Sequence, residues 1–228
     1  PLKALRHFDR AIELEPMEPR PYHWRGLLYN ALGYGDRCLE DMDRALELDP
    51  QNPNVHFALA SCLLVSGQWD RAVEIAAHGS TLGNPGGYYL TAIARYQQGD
   101  LSEALRHLAY ARETYGDDDG RLALIEQLFN DLVQVEDLTE EEMSLLGIGV
   151  LGLFENPEPA LEFMATGSQD SISVGPNGML FGAGYKRIHG DPRFIDYLER
   201  SAILDVWREL GPPAGCRALS DTFTCAQE

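Results

Sequence analysis

No stretch of this chain approaches the ~20 consecutive apolar residues that a membrane-spanning helix needs, although 44% of its 228 residues are hydrophobic. Positive charge is scarce: 18 Lys and Arg stand against 36 Asp and Glu, for a formal net charge of −18. A chain so acidic repels phosphate backbones and anionic lipid, so nucleic acid and membrane surfaces fall away as partners, while basic proteins or peptides are favoured. Cysteine is limited to Cys38, Cys62, Cys216 and Cys225, with no C-x-x-C pair. Buried free thiols in a reducing compartment are the expectation, and a Cys216–Cys225 bridge requires the tail to fold back. No segment alternates cleanly between apolar and polar residues, which leaves little room for strands.

Chemistry-bearing signatures are missing as well. There is no P-loop, no G-x-S-x-G and no Cys–His arrangement. The histidines (His7, His23, His56, His78, His107, His189) are not spaced as metal ligands. "GIGVLG", with Gly147, Gly149 and Gly152, matches the dinucleotide fingerprint literally, but "EEEMSLL" precedes it where a strand is required. The expectation is a helix whose small residues permit close packing. "DDDGRLALIE" offers Asp117, Asp119, Gly120 and Glu126 at calcium-loop positions, but Tyr115 stands where the first ligand belongs. A solvated turn with Asp119 capping the next helix is expected instead. No catalytic residue, metal or cofactor is therefore assigned.

What is present is periodic. "ALRHFDRAIELEP", "CLEDMDRALELDP" and "AVEIAAHGSTLGNP" are versions of one phrase, with Ala4, Cys38 and Ala72 spaced 34 residues apart. Phe8, Met42 and Ala76 keep the same period, as do Ala11, Ala45 and Gly79, Pro16 and Pro50, and Gly33 and Gly67. A fixed period in this range signals stacked supersecondary units. Each unit divides into two helices. Tyr22, Gly26 and Tyr29 share a face of the first, "GYGD" turns the chain with Asp36 placed to cap, and Cys38, Met42 and Ala45 form the stripe of the second. Pro50 ends it.

These residues resemble the tetratricopeptide repeat over about positions 1–115, entered at the second helix of a repeat, as in a fragment of a longer protein. Arg25 departs from the family's usual Leu, and Gly79 from its Ala. The resemblance implies an all-α helical-hairpin solenoid with the first helix of each pair lining a concave groove. By that register the groove positions are Arg20, His23, Leu27 and Asn30, then Asn54, Phe57, Ser61 and Leu64, then Tyr89, Ile93 and Tyr96. Aromatics, amides and one Arg suit an extended peptide. The family's carboxylate-clamp form carries Lys and Asn at such positions, a pattern that His23, Phe57 and Tyr89 replace.

Residues 116–228 continue as degenerate repeat-like helices and closing helices. "LTEEEMSLL" opens with a capping box from Thr139 to Glu142, and a Gly-rich link, "SVGPNGMLFGAG", precedes the last helices. A stack of helix pairs exposes an apolar face at its last unit and needs a polar-faced cap. Phe194, Tyr197 and Leu198, then Leu204, Trp207 and Leu210, supply such a cap. The segment "GDPRFIDYLERSAILDVWRELGPPAGC" also resembles the end of bacterial multidomain regulators that couple a repeat array to a winged-helix DNA-binding or class III nucleotide cyclase domain. That resemblance rests on Asp191, Pro192, Arg193, Phe194, Leu198, Trp207, Gly211, Pro213 and Cys216. It implies a non-enzymatic, cytoplasmic regulatory scaffold that binds protein. A periplasmic setting would follow if the intact regulator is membrane-anchored, and a small-ligand pocket between the array and the last helices is the alternative reading.

Overall fold

The computed structural model describes residues 1–166, 180–181, 187–218 and 223–225. Seven helices fill the first half: α1 (Leu2–Leu14), α2 (Pro19–Ala31), α3 (Gly35–Leu48), α4 (Pro53–Val65), α5 (Trp69–Thr81), α6 (Gly86–Gln97) and α7 (Leu101–Tyr115). Each packs on the next, and α4 also touches α2 and α6, so α2, α4 and α6 lie side by side on one face. This is the helical-hairpin solenoid that the period implies.

The sequence devices are visible at the ends and the seams. Pro19 and Pro53 sit in the first turns of α2 and α4, where a missing N–H costs nothing, and Glu18 and Asn52 accept from the first free amides. Gly33 and Gly67 close α2 and α4 with φ of 88° and 71°, a left-handed conformation that disfavours any Cβ. Cys38, Met42 and Ala45 are wholly buried. A Cβ on Gly26 would lie 2.9 Å from the Met42 methyl, so that glycine lets α2 and α3 meet. Asp36 lies within the first turn of α3, whose end carries no side-chain cap.

The second half is α8 (Arg121–Phe129), a 3₁₀ turn (Val135–Asp137), α9 (Glu140–Leu146), α10 (Ile148–Leu151), α11 (Glu158–Thr166), α12 (Pro192–Arg200) and α13 (Ile203–Leu210). Among the described residues the only sheet is a two-stranded antiparallel ribbon, β1 (Cys216–Ala218) with β2 (Phe223–Cys225). The capping box at Thr139 forms as expected. The glycine run does not lie within one helix: Gly147, at φ 73°, separates α9 from α10. The Gly-rich link at 173–184 lies outside the described residues apart from Leu180 and Phe181.

Two expectations are corrected. Neither cysteine pair is free: Cys38 is bonded to Cys62, tying α3 to α4, and Cys216 is bonded to Cys225 across the ribbon. The 34-residue period places Cys38 and Cys62 on neighbouring helices with Cα atoms 6.2 Å apart, within bridging reach. The closing helices, besides seating α12 on α11, return to the start of the array. The Trp207 indole donates to the Leu32 carbonyl at 2.9 Å, the Tyr34 hydroxyl donates to the Gly211 carbonyl at 2.5 Å, and Arg6 pairs with Glu209 at 2.5 Å. A single buried apolar cluster consequently runs from Leu5 to Cys225.

Candidate functional site

The eleven groove positions range from exposed to fully buried. On α2, Arg20 is exposed and held by Glu18 at 2.6 Å, His23 and Leu27 are half-buried, and Asn30 is buried with its side-chain oxygen unpaired. On α4, Asn54 is exposed and accepts from Asn84 at 3.0 Å. Phe57 and Ser61 are half-buried, the Ser61 hydroxyl donating to the Phe57 carbonyl, and Leu64 is buried. These α2 and α4 positions lie on neighbouring helices, and the ones near the N-terminal ends keep access to solvent.

None of the α6 positions is exposed, and Tyr89 and Tyr96 are half-buried. Ile93 is fully buried. Tyr96 stacks on Phe129 at 3.9 Å between centroids and lies 5.9 Å from Phe154. Arg121 of α8 donates to the Tyr89 hydroxyl at 3.2 Å and to the Leu146 carbonyl at 3.3 Å, with its guanidinium over the Tyr89 ring. The segment around 146–154 is thereby laid against α6, and Gln97 adds a contact to the Leu153 carbonyl. Tyr89 and Tyr96 contact the second half through Arg121, Phe129 and Phe154.

Burial shifts titrating groups on both α2 and α6. Burial pushes the His23 imidazole below its usual range, so it stays neutral and presents a flat ring, stacked 5.3 Å from Trp24. Burial raises the Tyr89 and Tyr96 phenols, so both remain neutral.

Sequence reasoning passed over two features. Trp24, beside His23, is 50% exposed, which makes it a large apolar contact at the open end. Arg25, noted only as a departure, binds Asp41 through two nitrogens at 2.8 and 2.6 Å and Asp9 at 2.6 Å, with Tyr22 and Tyr29 flanking it. Both carboxylates lie 16 residues from Arg25, one on each side, a symmetry that the repeat makes readable. The calcium-loop carboxylates are otherwise engaged: Asp117 accepts from the Leu122 and Ala123 amides, Asp119 from the Arg121 amide, and Glu126 pairs with Arg112. Among the described residues no group of His, Cys, Asp and Glu side chains is placed to hold a metal ion, and no helix is long and apolar enough to cross a membrane.

A second concavity, of about 440 Å³, lies between the α2–α3 turn, the end of α4 and the tail. Gly33, Tyr34, Arg37, Val65, Ser66, Phe181, Leu210, Pro212 and Pro213 contribute to its lining. Arg37 sits over the Tyr34 and Tyr29 rings at 4.9 and 5.4 Å.

Residues 24–111 match the family model described as "Anaphase-promoting complex, cyclosome, subunit 3", a tetratricopeptide-type repeat family. Among solved structures, the chain is similar to the crystal structure of YrrB, described as a TPR protein with an unusual peptide-binding site. The TM-score is 0.47 and the identity 16%, covering 89% of this chain and 93% of that one. No curated protein matches the sequence.

Proposed function

We propose that this chain is a non-enzymatic scaffold for protein–protein interaction, and that it receives an extended peptide across the open ends of α2 and α4. The observation that carries the reading is the exposure pattern. Arg20 on α2 and Asn54 on α4 are exposed, with His23, Leu27, Phe57 and Ser61 half-buried beside them, whereas no groove position on α6 is exposed and its two half-buried rings, Tyr89 and Tyr96, engage Arg121 and Phe129. Trp24, half exposed, extends the aromatic surface. Flat rings offer contact area at low entropic cost, and the exposed amide of Asn54 and guanidinium of Arg20 suit peptide main chain. The net charge of −18 favours a basic peptide by steering. Placement in a bacterial regulator with a winged-helix or cyclase effector rests on the resemblance of residues 191–216.

Selection from a displayed peptide library on the intact chain tests this. Selected peptides are expected to lose about tenfold or more in affinity, as for a modest interface anchor of ~1.4 kcal/mol, in a His23→Ala/Phe57→Ala variant whose melting temperature matches the parent's. Undiminished binding in that variant would remove the groove from the proposal. The alternative, a small-ligand sensor, is favoured by the 440 Å³ concavity between array and tail. A metabolite-sized ligand there would be expected to lose affinity on Arg37→Ala and not on Phe57→Ala.

A further inference from the structure

We propose that the Cys216–Cys225 disulfide is a thiol-sensitive clasp: it holds the C-terminal helices shut against the α2–α3 turn, and a dithiol reductant releases them. The inference does not depend on the peptide-binding reading.

The clasp begins with the ribbon. Strands β1 and β2 are three residues each, and Cys216 faces Cys225 at the end of their register. A lone two-stranded ribbon is marginal in water, so the covalent bond across it carries much of the pairing. Phe223 lies on the second strand, buried, with its ring 5.5 Å from that of Trp207 and nearly perpendicular to it. Trp207 in turn donates to the Leu32 carbonyl, and the Gly211 carbonyl just beyond α13 accepts from Tyr34. One path therefore runs from the disulfide through Phe223 and Trp207 to the α2–α3 turn.

The two disulfides differ in what can reach them. Cys38 and Cys62 are both fully buried between α3 and α4. Cys225 is buried too, but Cys216 is only partly buried, so a reagent approaches this bond from the Cys216 side. A thiolate of the dithiol attacks the Cys216 sulfur and forms a mixed disulfide. The Cys216–Cys225 bond breaks, and Cys225 leaves as a thiolate that takes up a proton. The reagent's second thiol, losing its proton, then attacks its own sulfur in the mixed disulfide, and Cys216 leaves and is protonated. The protein gains two electrons and two protons, and the dithiol becomes a cyclic disulfide. With the bond gone the strands separate, Phe223 leaves the indole, and the seam from Leu32 to Arg37 loosens, uncovering the concavity beneath Pro212 and Pro213.

The experiment titrates the intact chain with dithiothreitol while following thiol alkylation by peptide mass, Trp fluorescence and amide exchange. Cys216 and Cys225 are expected to alkylate before Cys38 and Cys62. In step with them, α13 and residues 32–37 lose amide protection, while α4 to α6 keep theirs. Cys216→Ser/Cys225→Ser should show the loosened seam without reductant and no further response. Cys38→Ser/Cys62→Ser should retain the response if it folds. Phe223→Ala in the oxidised chain should loosen the same seam with the bond intact, which separates the path through the ring from a general effect of reduction. The proposal is overturned if the Cys38–Cys62 bond is reduced first, if reduction leaves protection at 32–37 unchanged, or if protection is lost throughout the array at once.

Discussion

The indole nitrogen of Trp207 donates to the main-chain oxygen of Leu32 at 2.9 Å, joining residues 175 apart in sequence. The bond satisfies a carbonyl at the end of α2, where helices leave such groups unpaired. It also couples the last helix to the first full repeat, so the array is not a string of neighbours with independent ends.

Trp207→Ala is accordingly expected to cost ~3–5 kcal/mol, a large share of the ~5–15 kcal/mol that holds a domain together. Amide exchange should rise in α11 to α13 and also at residues 32–37, although the latter lie within the first repeat. Trp207→Phe keeps a ring but removes the donor, and should cost about 1–3 kcal/mol by stranding the carbonyl. Loosening confined to residues beyond 139 would show that the contact to Leu32 carries no weight.

The Arg25–Asp41 pair leads to a second expectation. Burial pushes the Asp41 carboxyl up, and Arg25 pulls against that shift while being held charged by Asp41 and Asp9. Arg25→Leu, which installs the residue usual in the repeat family, leaves Asp41 buried without its partner. It should destabilise by ~3–5 kcal/mol, whereas replacing Asp41 as well, in Arg25→Leu/Asp41→Leu, should recover most of that loss. Chemical denaturation of Arg25→Leu, Asp41→Leu and the double variant gives the coupling directly.

Acid should weaken the fold before the carboxylates titrate. Burial depresses the imidazoles of His23 and His107, with Arg106 adding to the effect at His107 and Glu103 opposing it. Their ordinary value is 6.5. Below it the unfolded chain binds protons that the folded chain refuses, so the stability they contribute is present above pH 6.5 and is lost as pH falls towards their folded-state values. Melting temperatures measured between pH 8 and pH 5 should decline, and His23→Gln/His107→Gln should flatten the decline over that window. An unchanged slope in the double variant would place both rings in water.

The first half of the fold was legible because its information is local and repeated. Cys38, Met42 and Ala45 sit at a helical spacing on positions that keep the 34-residue period, and all three are completely buried. The second half was legible as helices but not as an arrangement. Nothing near Trp207 in the sequence points to Leu32, because a hydrogen bond to a main-chain carbonyl leaves no trace in residue type. The groove shows the same limit. Register selected Tyr89 and Tyr96 as groove candidates, yet Arg121, Phe129 and Phe154, each more than 30 residues downstream, supply the contacts that these half-buried rings make. Pairing of the cysteines was obscured because Cys38 and Cys62 each look like an ordinary core position of its own helix.

Gly87 offers the sharpest test of packing between α5 and α6, and it lies outside every motif read from the sequence. By helix propensity alone, Gly87→Ala inside α6 should stabilise by about 1 kcal/mol. The surroundings oppose this. A Cβ at that position would lie 2.2 Å from the Ala76 carbonyl oxygen and 2.3 Å from the Ser80 hydroxyl. The hydroxyl can rotate, but the carbonyl belongs to the backbone of α5 and moves only if the helices part. Overpacking of this kind typically costs ~1–3 kcal/mol, which outweighs the propensity gain, so a net loss of stability is expected. Gly35→Ala is the comparison: its Cβ would meet only the Ser66 hydroxyl, at 3.3 Å, and it should be close to neutral. A Gly87→Ala chain that melts above the parent would mean that α5 and α6 stand further apart than described, and the array would then have a softer joint at its middle than at its ends.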